Sequence, residues 1–149
     1  MVLRDLHSLI EVRRVISPAA NANLGTTPLV GQIIDTRGFA ALEFVISLGT
    51  LSDADAAYSV LLEDGDVSTL SDNVAIADSK LLGTEVAAAF QFGDDDGVRK
   101  IGVKVHSARR YVRMTITPTT TADSGNSPIS VVAILAGAGQ TPTISQADA

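Results

Sequence analysis

Apolar and polar residues alternate with a period of two along several stretches of this chain, and the clearest runs from Val98 to Pro118. Ile101, Val103 and Val105 alternate with Lys100, Gly102, Lys104 and His106. After a short link, Val112, Met114 and Ile116 alternate with Tyr111, Arg113, Thr115 and Thr117. Such a period marks strands with one buried and one wet face. The link Ser107-Ala108-Arg109-Arg110 is short, so the pattern predicts that the two arms pair as an antiparallel hairpin. A half-buried sheet needs a second layer over its apolar face, and the rest of the chain must supply it.

Upstream, Ile10 to Ile16 is rich in β-branched residues and reads as a strand. The Pro18 to Pro28 segment is a loose connection of Asn, Thr, Ala and Gly. Residues 1–28 together read as an arm preceding the domain, so that removing residues 1–20 is expected to leave the fold intact. The domain itself is expected over 29–137, beginning with a strand at Leu29. In Phe39 to Leu48, the residues Ala40, Leu42, Phe44, Ile46 and Leu48 share a face. Tyr58 to Glu63 is the next strand, ended by the turn signal Asp64-Gly65.

Residues 67–83 read as loop with a short helical piece, and Leu70, Val74, Ala77 and Leu81 would share its face. Glu85 to Phe92 reads as a strand with Val86, Ala88, Phe90 and Phe92 aligned. Thr117 to Pro128 is a long polar loop. Ile129 to Ala136 is nearly all apolar, which predicts a strand buried on both faces. Residues 138–149 lack periodicity and are expected as an extended tail. The count and spacing of strands predict an all-β antiparallel sandwich in jelly-roll order.

Composition narrows the chemistry. The chain has no cysteine, which excludes a disulfide framework, a zinc-thiolate site, an iron-sulfur cluster and a thiol nucleophile. A net charge of −6 argues against nucleic acid as a partner. No apolar run reaches the roughly 20 residues of a membrane helix, and the N-terminus lacks a signal-peptide pattern. The charge is uneven, with cations at the N-terminus and around residues 99–113 and most acids between residues 53 and 96. Arg4, Arg13, Arg14, Arg109 and Arg110 are therefore the candidates for contact with an acidic protein surface.

His7 and His106 are the available imidazole bases, and neither sits in a catalytic or metal-binding motif. The acids of Gly93-Asp-Asp-Asp-Gly97 and Glu63-Asp-Gly-Asp66 lack the alternating spacing of a calcium loop and read as turns. No phosphate-cradling glycine motif occurs. The sequence thus predicts a binding or structural protein, not an enzyme, with no cofactor and no metal.

The run from Leu81 to Pro118, with its Lys100-Ile-Gly-Val103 and Arg110-Tyr-Val-Arg113 pieces, and the run Gly125 to Ala136 carry a resemblance. They are similar to small proteins encoded in the head-gene clusters of tailed, siphovirus-like bacteriophages and prophages of alphaproteobacteria. The resemblance covers about residues 35–137. It implies a virion component assembled in the host cytoplasm, and among the neighbours of a major capsid protein the implied role is capsid cement or decoration. The partners implied are the major capsid protein and copies of the chain itself, as a trimer or dimer, with no membrane involved. Another head or tail protein (tail tube, head completion) is the alternative, and a carbohydrate-binding sandwich module is a further one.

Overall fold

The computed structural model describes residues 5–19, 23–119 and 125–139. In chain order its strands are β1 (Ile10–Ile16), β2 (Leu29–Val30), β3 (Ile34–Asp35), β4 (Ala41–Leu48), β5 (Ala57–Gly65), β6 (Val74–Ala75), β7 (Leu81–Leu82), β8 (Phe90–Gln91), β9 (Val98–Val103), β10 (Tyr111–Pro118) and β11 (Ile129–Ala136). They form two antiparallel sheets. One has the order β1-β11-β4-β9-β7; in the other, β10 and β5 are central, with β2 and β3 on the free side of β10 and β6 and β8 on the free side of β5. Counting β2 with β3 and β6 with β8 as interrupted strands, β1-β11-β4-β9 over (β2, β3)-β10-β5-(β6, β8) is the jelly-roll order. The all-β sandwich read from the sequence is the architecture of the chain.

Period-two alternation builds the core. Leu42, Phe44 and Ile46 of β4, Ile101 and Val103 of β9, and Val131, Ala133 and Leu135 of β11 are buried on one sheet. Val60 and Leu62 of β5 and Val112, Met114 and Ile116 of β10 are buried on the other. These side chains join one apolar cluster between the sheets.

The expected hairpin does not form. β9 pairs with β4 and β7, whereas β10 pairs with β5, so the two arms lie in opposite sheets. Alternation reports which face a residue takes, not which strand lies beside it. The link folds tightly, because the Lys104 carbonyl accepts the N–H groups of Ser107 at 2.8 Å and Ala108 at 3.0 Å. The chain then crosses the sandwich into the other sheet.

β1 has the bounds read from the sequence, but the segment expected as an arm contributes it to the sheet. It pairs with β11 from Ile10 opposite Ala136 to Ile16 opposite Val131, with a bulge between Arg14 and Ile16. Val15 and Ile16 are in the core. Its other edge is partly closed, since Gln32 N–H donates to the Val15 carbonyl at 3.0 Å while Gly31 N–H donates to Met114 at 2.9 Å. The segment between β2 and β3 thereby ties the edges of the two sheets together.

The strand expected over 85–92 is instead a single helical turn, α1 (Glu85–Ala88), followed by β8. Thr84 caps it by accepting the Ala87 N–H at 3.1 Å, and the alanines that follow favour helix. Val86 consequently points to solvent, 86% exposed. Glu85 accepts the Leu62 N–H at 2.6 Å, standing in for a ladder partner on the edge of β5 between β8 and β6. Within 67–83 the helical piece is the short 3-10 turn Asp78–Lys80, and Leu70 is buried at a left-handed φ of 53° instead of on a helical face. Asp72 organises this loop by accepting the N–H groups of Asp66 at 2.8 Å and Val67 at 3.2 Å. β11 is buried on one face and not on both, because no element among the described residues covers the outer side of its sheet. Residues 120–124 of the polar loop and 140–149 of the expected tail lie outside the described residues.

Candidate interaction surfaces

The five candidate arginines part company in the folded chain. Arg4 lies outside the described residues. Arg13 projects from β1 beside Glu11, with its Nε 2.6 Å from Glu11 Oε1, and its guanidinium sits 6.0 Å from the centre of the Phe39 ring. Arg14, the next residue, points to the opposite side, is exposed, and donates to Ser17 Oγ at 3.3 Å.

Arg109 and Arg110 close the crossing from β9 to β10. Arg109 donates through Nε to Asp64 Oδ1 at 3.0 Å and through Nη1 to the carbonyl and carboxylate of Asp72 at 3.1 and 3.2 Å. Arg110 grips Asp35 with two hydrogen bonds of 2.8 and 2.6 Å, and its guanidinium lies 4.7 Å from the Tyr111 ring centre. The hydrogen bond from Arg110 holds the Asp35 carboxyl below the usual carboxylate range against the opposing effect of burial. Asp72 is lowered as well, chiefly by the main-chain N–H of Asp66. Both arginines thus tie the crossing to acids far away in sequence, and Arg14 is the exposed cation of the set among the described residues.

The acidic turns are similarly engaged. Asp94 pairs with Arg99 and accepts the Gln91 N–H, and Asp95 accepts the Leu51 N–H at 2.6 Å. No three potential metal ligands converge among the described residues. His7 and His106 are both exposed.

Two surfaces stand out instead, an apolar sheet face and a recess of mixed lining flanked by exposed Val86 and Phe92. The first is the outer face of the five-stranded sheet. Strand register sets Arg14, Val132, Val45 and Lys100 in one row across it, and Val12, Ile134, Glu43, Gly102 and Leu82 in the next. Val98 and Leu82 are 60% and 52% exposed here, and Val132, on a central strand, is 36% exposed. The sequence signal for this face was the apolar character of both sides of β11. Taken alone, that signal predicts burial within the chain. The second surface is a recess of about 430 Å³ lined by Ala54, Asp55, Ala57, Gln91 and Phe92, with Val86 nearby lining an adjoining recess. The recess is not legible in the sequence, where Val86 and Phe92 align on one face of an expected strand.

No helix among the described residues is long and apolar enough to cross a membrane. No protein-family profile matches the chain, and no curated protein matches its sequence. Among solved structures, matches are found at low identity and with TM-scores below 0.5. The SPBc2 prophage-derived protein YomS is 12% identical with a TM-score of 0.48, over 92% of this chain and 100% of that one. A structure of infectious bursal disease virus, Gx strain, is 9% identical with a TM-score of 0.44; the match covers 89% of this chain and 34% of that one. Xyl-CBM35, solved with a glucuronic-acid-containing disaccharide, is 11% identical with a TM-score of 0.40, over 96% of this chain and 98% of that one.

Proposed function

We propose that this chain is a structural virion protein that binds a phage capsid shell and stabilises it by contact, not by catalysis. The observation that carries the reading is the presence of two separate surfaces on one body, an apolar sheet face and a recess flanked by the exposed side chains of Val86 and Phe92. The outer face of the five-stranded sheet is one, and the recess beside β8 on the other sheet is the second. A protein that bridges other subunits needs at least two such surfaces and a body that does not yield between them. Here the jelly roll supplies the body, and the ion pairs of Arg109 and Arg110 fasten the crossing between its sheets. The resemblance of residues 35–137 to phage head-cluster proteins supports the same reading and names the major capsid protein as partner.

Quantitative mass spectrometry of shells incubated with the purified chain tests it. The expected result is saturable binding at a copy number comparable to that of the capsid subunit. A handful of copies per particle would move the protein to the neck or tail, and no binding at all would overturn the reading.

A further inference from the structure

Beyond shell binding, the outer face of the five-stranded sheet poses its own question: what covers it? Its centre is apolar at Val12, Val45, Val132 and Ile134, where a strand face turned to water ordinarily carries polar residues. Besides Arg14 on the edge strand β1, two charges are set into this apolar ground, Glu43 on β4 and Lys100 on β9. They are diagonal neighbours, with Glu43 opposite Gly102 and Lys100 opposite Val45. Six ion pairs are made elsewhere among the described residues, and neither Glu43 nor Lys100 takes part in any of them.

We infer that this face packs against the same face of a second copy of the chain, forming a two-fold dimer in which Glu43 of each copy meets Lys100 of the other. The geometry follows from the register. Consider a two-fold axis lying between the two faces, across the strands and midway between the row of Val45 and the row of Glu43. It brings each row over the other row of the second copy. Ile134 then lies over Val132, apolar on apolar, at the spacing of about 10 Å usual for stacked sheets. Glu43 lies over Val45, one strand spacing from Lys100, and the pair occurs twice. An axis running along the strands between β11 and β4 would instead bring Arg14 over Lys100 and Ile134 over Glu43. Charge complementarity therefore selects the first arrangement.

The area is sufficient but small. Five strands at about 4.8 Å spacing and up to eight residues at about 3.3 Å give a face on the order of 500 Å² per copy, or roughly 1,000 Å² in total, the lower end for a specific interface. A dimer in the micromolar range is the corresponding expectation. The inference does not depend on the shell reading, since it concerns the purified chain alone.

Sedimentation velocity of the full chain over a wide concentration range tests it. A monomer–dimer equilibrium is expected. Val132→Asp should weaken it more than tenfold without changing the far-UV circular dichroism, because that side chain is already partly in water. Glu43→Lys and Lys100→Glu should each weaken it too, and mixing the two variant chains should restore association as a heterodimer with both ion pairs matched. A chain monomeric at every concentration would overturn the inference. A dimer indifferent to Val132→Asp, or variant chains that do not recover on mixing, would do so equally. If the chain is monomeric and Val132→Asp instead abolishes shell binding, the face belongs to the capsid and the dimer is refuted while the shell reading stands.

Discussion

Arg109 holds both oxygens of Asp64, donating its own main-chain N–H to Oδ2 at 2.9 Å and its Nε to Oδ1 at 3.0 Å. Asp64 is 3% exposed, at the end of β5, and Arg109 sits at the far end of the crossing that leaves β9. The contact therefore fixes where the chain enters the second sheet. It explains why a short link can span the sandwich: the turn at Lys104 reverses the chain, and the carboxylate catches it before β10 begins.

Asp64→Ala removes that catch and leaves the Arg109 main-chain N–H and Nε without their acceptor, while Nη1 keeps Asp72. The guanidinium keeps some access to water, so the loss is below that of a fully buried pair, about 2–3 kcal/mol. Urea denaturation followed by circular dichroism measures it. Asp72→Ala, which breaks the more exposed arm of the same network, should cost less. Equal losses would mean that Asp64 is not the anchor.

Acid should loosen the crossing. The Asp35 carboxyl is lowered in the folded chain by the hydrogen bond from Arg110, and that of Asp72 by the N–H of Asp66. A carboxyl whose folded value lies below its unfolded value near about 3.9 adds stability above that value and loses it as pH falls towards the folded one. The melting temperature should therefore decline below about pH 5. Asp35→Asn should lower it at neutral pH by a few degrees and make the acid decline shallower. An unchanged decline in the variant would show that Asp35 contributes nothing to it.

How far the sequence could be read depends on which physical signal each element carries. β4 and β10 were legible because their inward residues alternate without interruption, β11 because its run is nearly all apolar, and β1 because Ile10 to Ile16 is rich in β-branched residues. Partnership was not legible. Val103 and Val112 face the same core from opposite sheets, and alternation is identical whether two strands are neighbours or face each other. The deciding contact, Arg109 to Asp64, joins residues 45 apart and leaves no local trace. Residues 85–89 misled for another reason. Glu-Val-Ala-Ala-Ala fits a strand pattern as well as a helical turn, and the overlooked cue was Thr84, whose hydroxyl caps the turn. Of the candidate site, the exposure of Arg14 could be anticipated, whereas the pairing of Arg109 and Arg110 with distant acids could not.

Gly31 and Gly102 should respond to the same change with losses of very different size. A Cβ at Gly31 would lie 2.6 Å from Val15 Cγ1 and 2.7 Å from the Met114 carbonyl oxygen, and the latter is main chain in the centre of a sheet. At Gly102 the nearest atom, at 2.5 Å, is Glu43 Oε2, the mobile end of a side chain on the sheet surface. Gly31→Ala is expected to cost about 1–3 kcal/mol by overpacking, and Gly102→Ala much less. Thermal melts of the two variants decide it; equal destabilisation would contradict the close approach of β1 to β10 at Gly31.

The last expectation concerns β1, because it separates an edge strand from a detachable arm. β1 covers β11 from Val131 to Ala136 on that side, and Val15 and Ile16 contribute side chains to the core. A chain beginning at Ser17 would lose both and leave β11, a strand apolar on two faces, with an unpaired edge. Such an edge is a template for association with other chains. The shortened protein is expected to aggregate or to lose its cooperative unfolding transition. Val15→Asp in the full chain should act similarly, since it buries a charge with no partner on its side of β1 other than Glu11 and Arg13, which already pair with each other. Arg14→Ala, at the neighbouring exposed position, should leave the transition in place. If the chain starting at Ser17 instead remains soluble and unfolds cooperatively at an unchanged temperature, β1 is dispensable to the fold and free to serve as an arm.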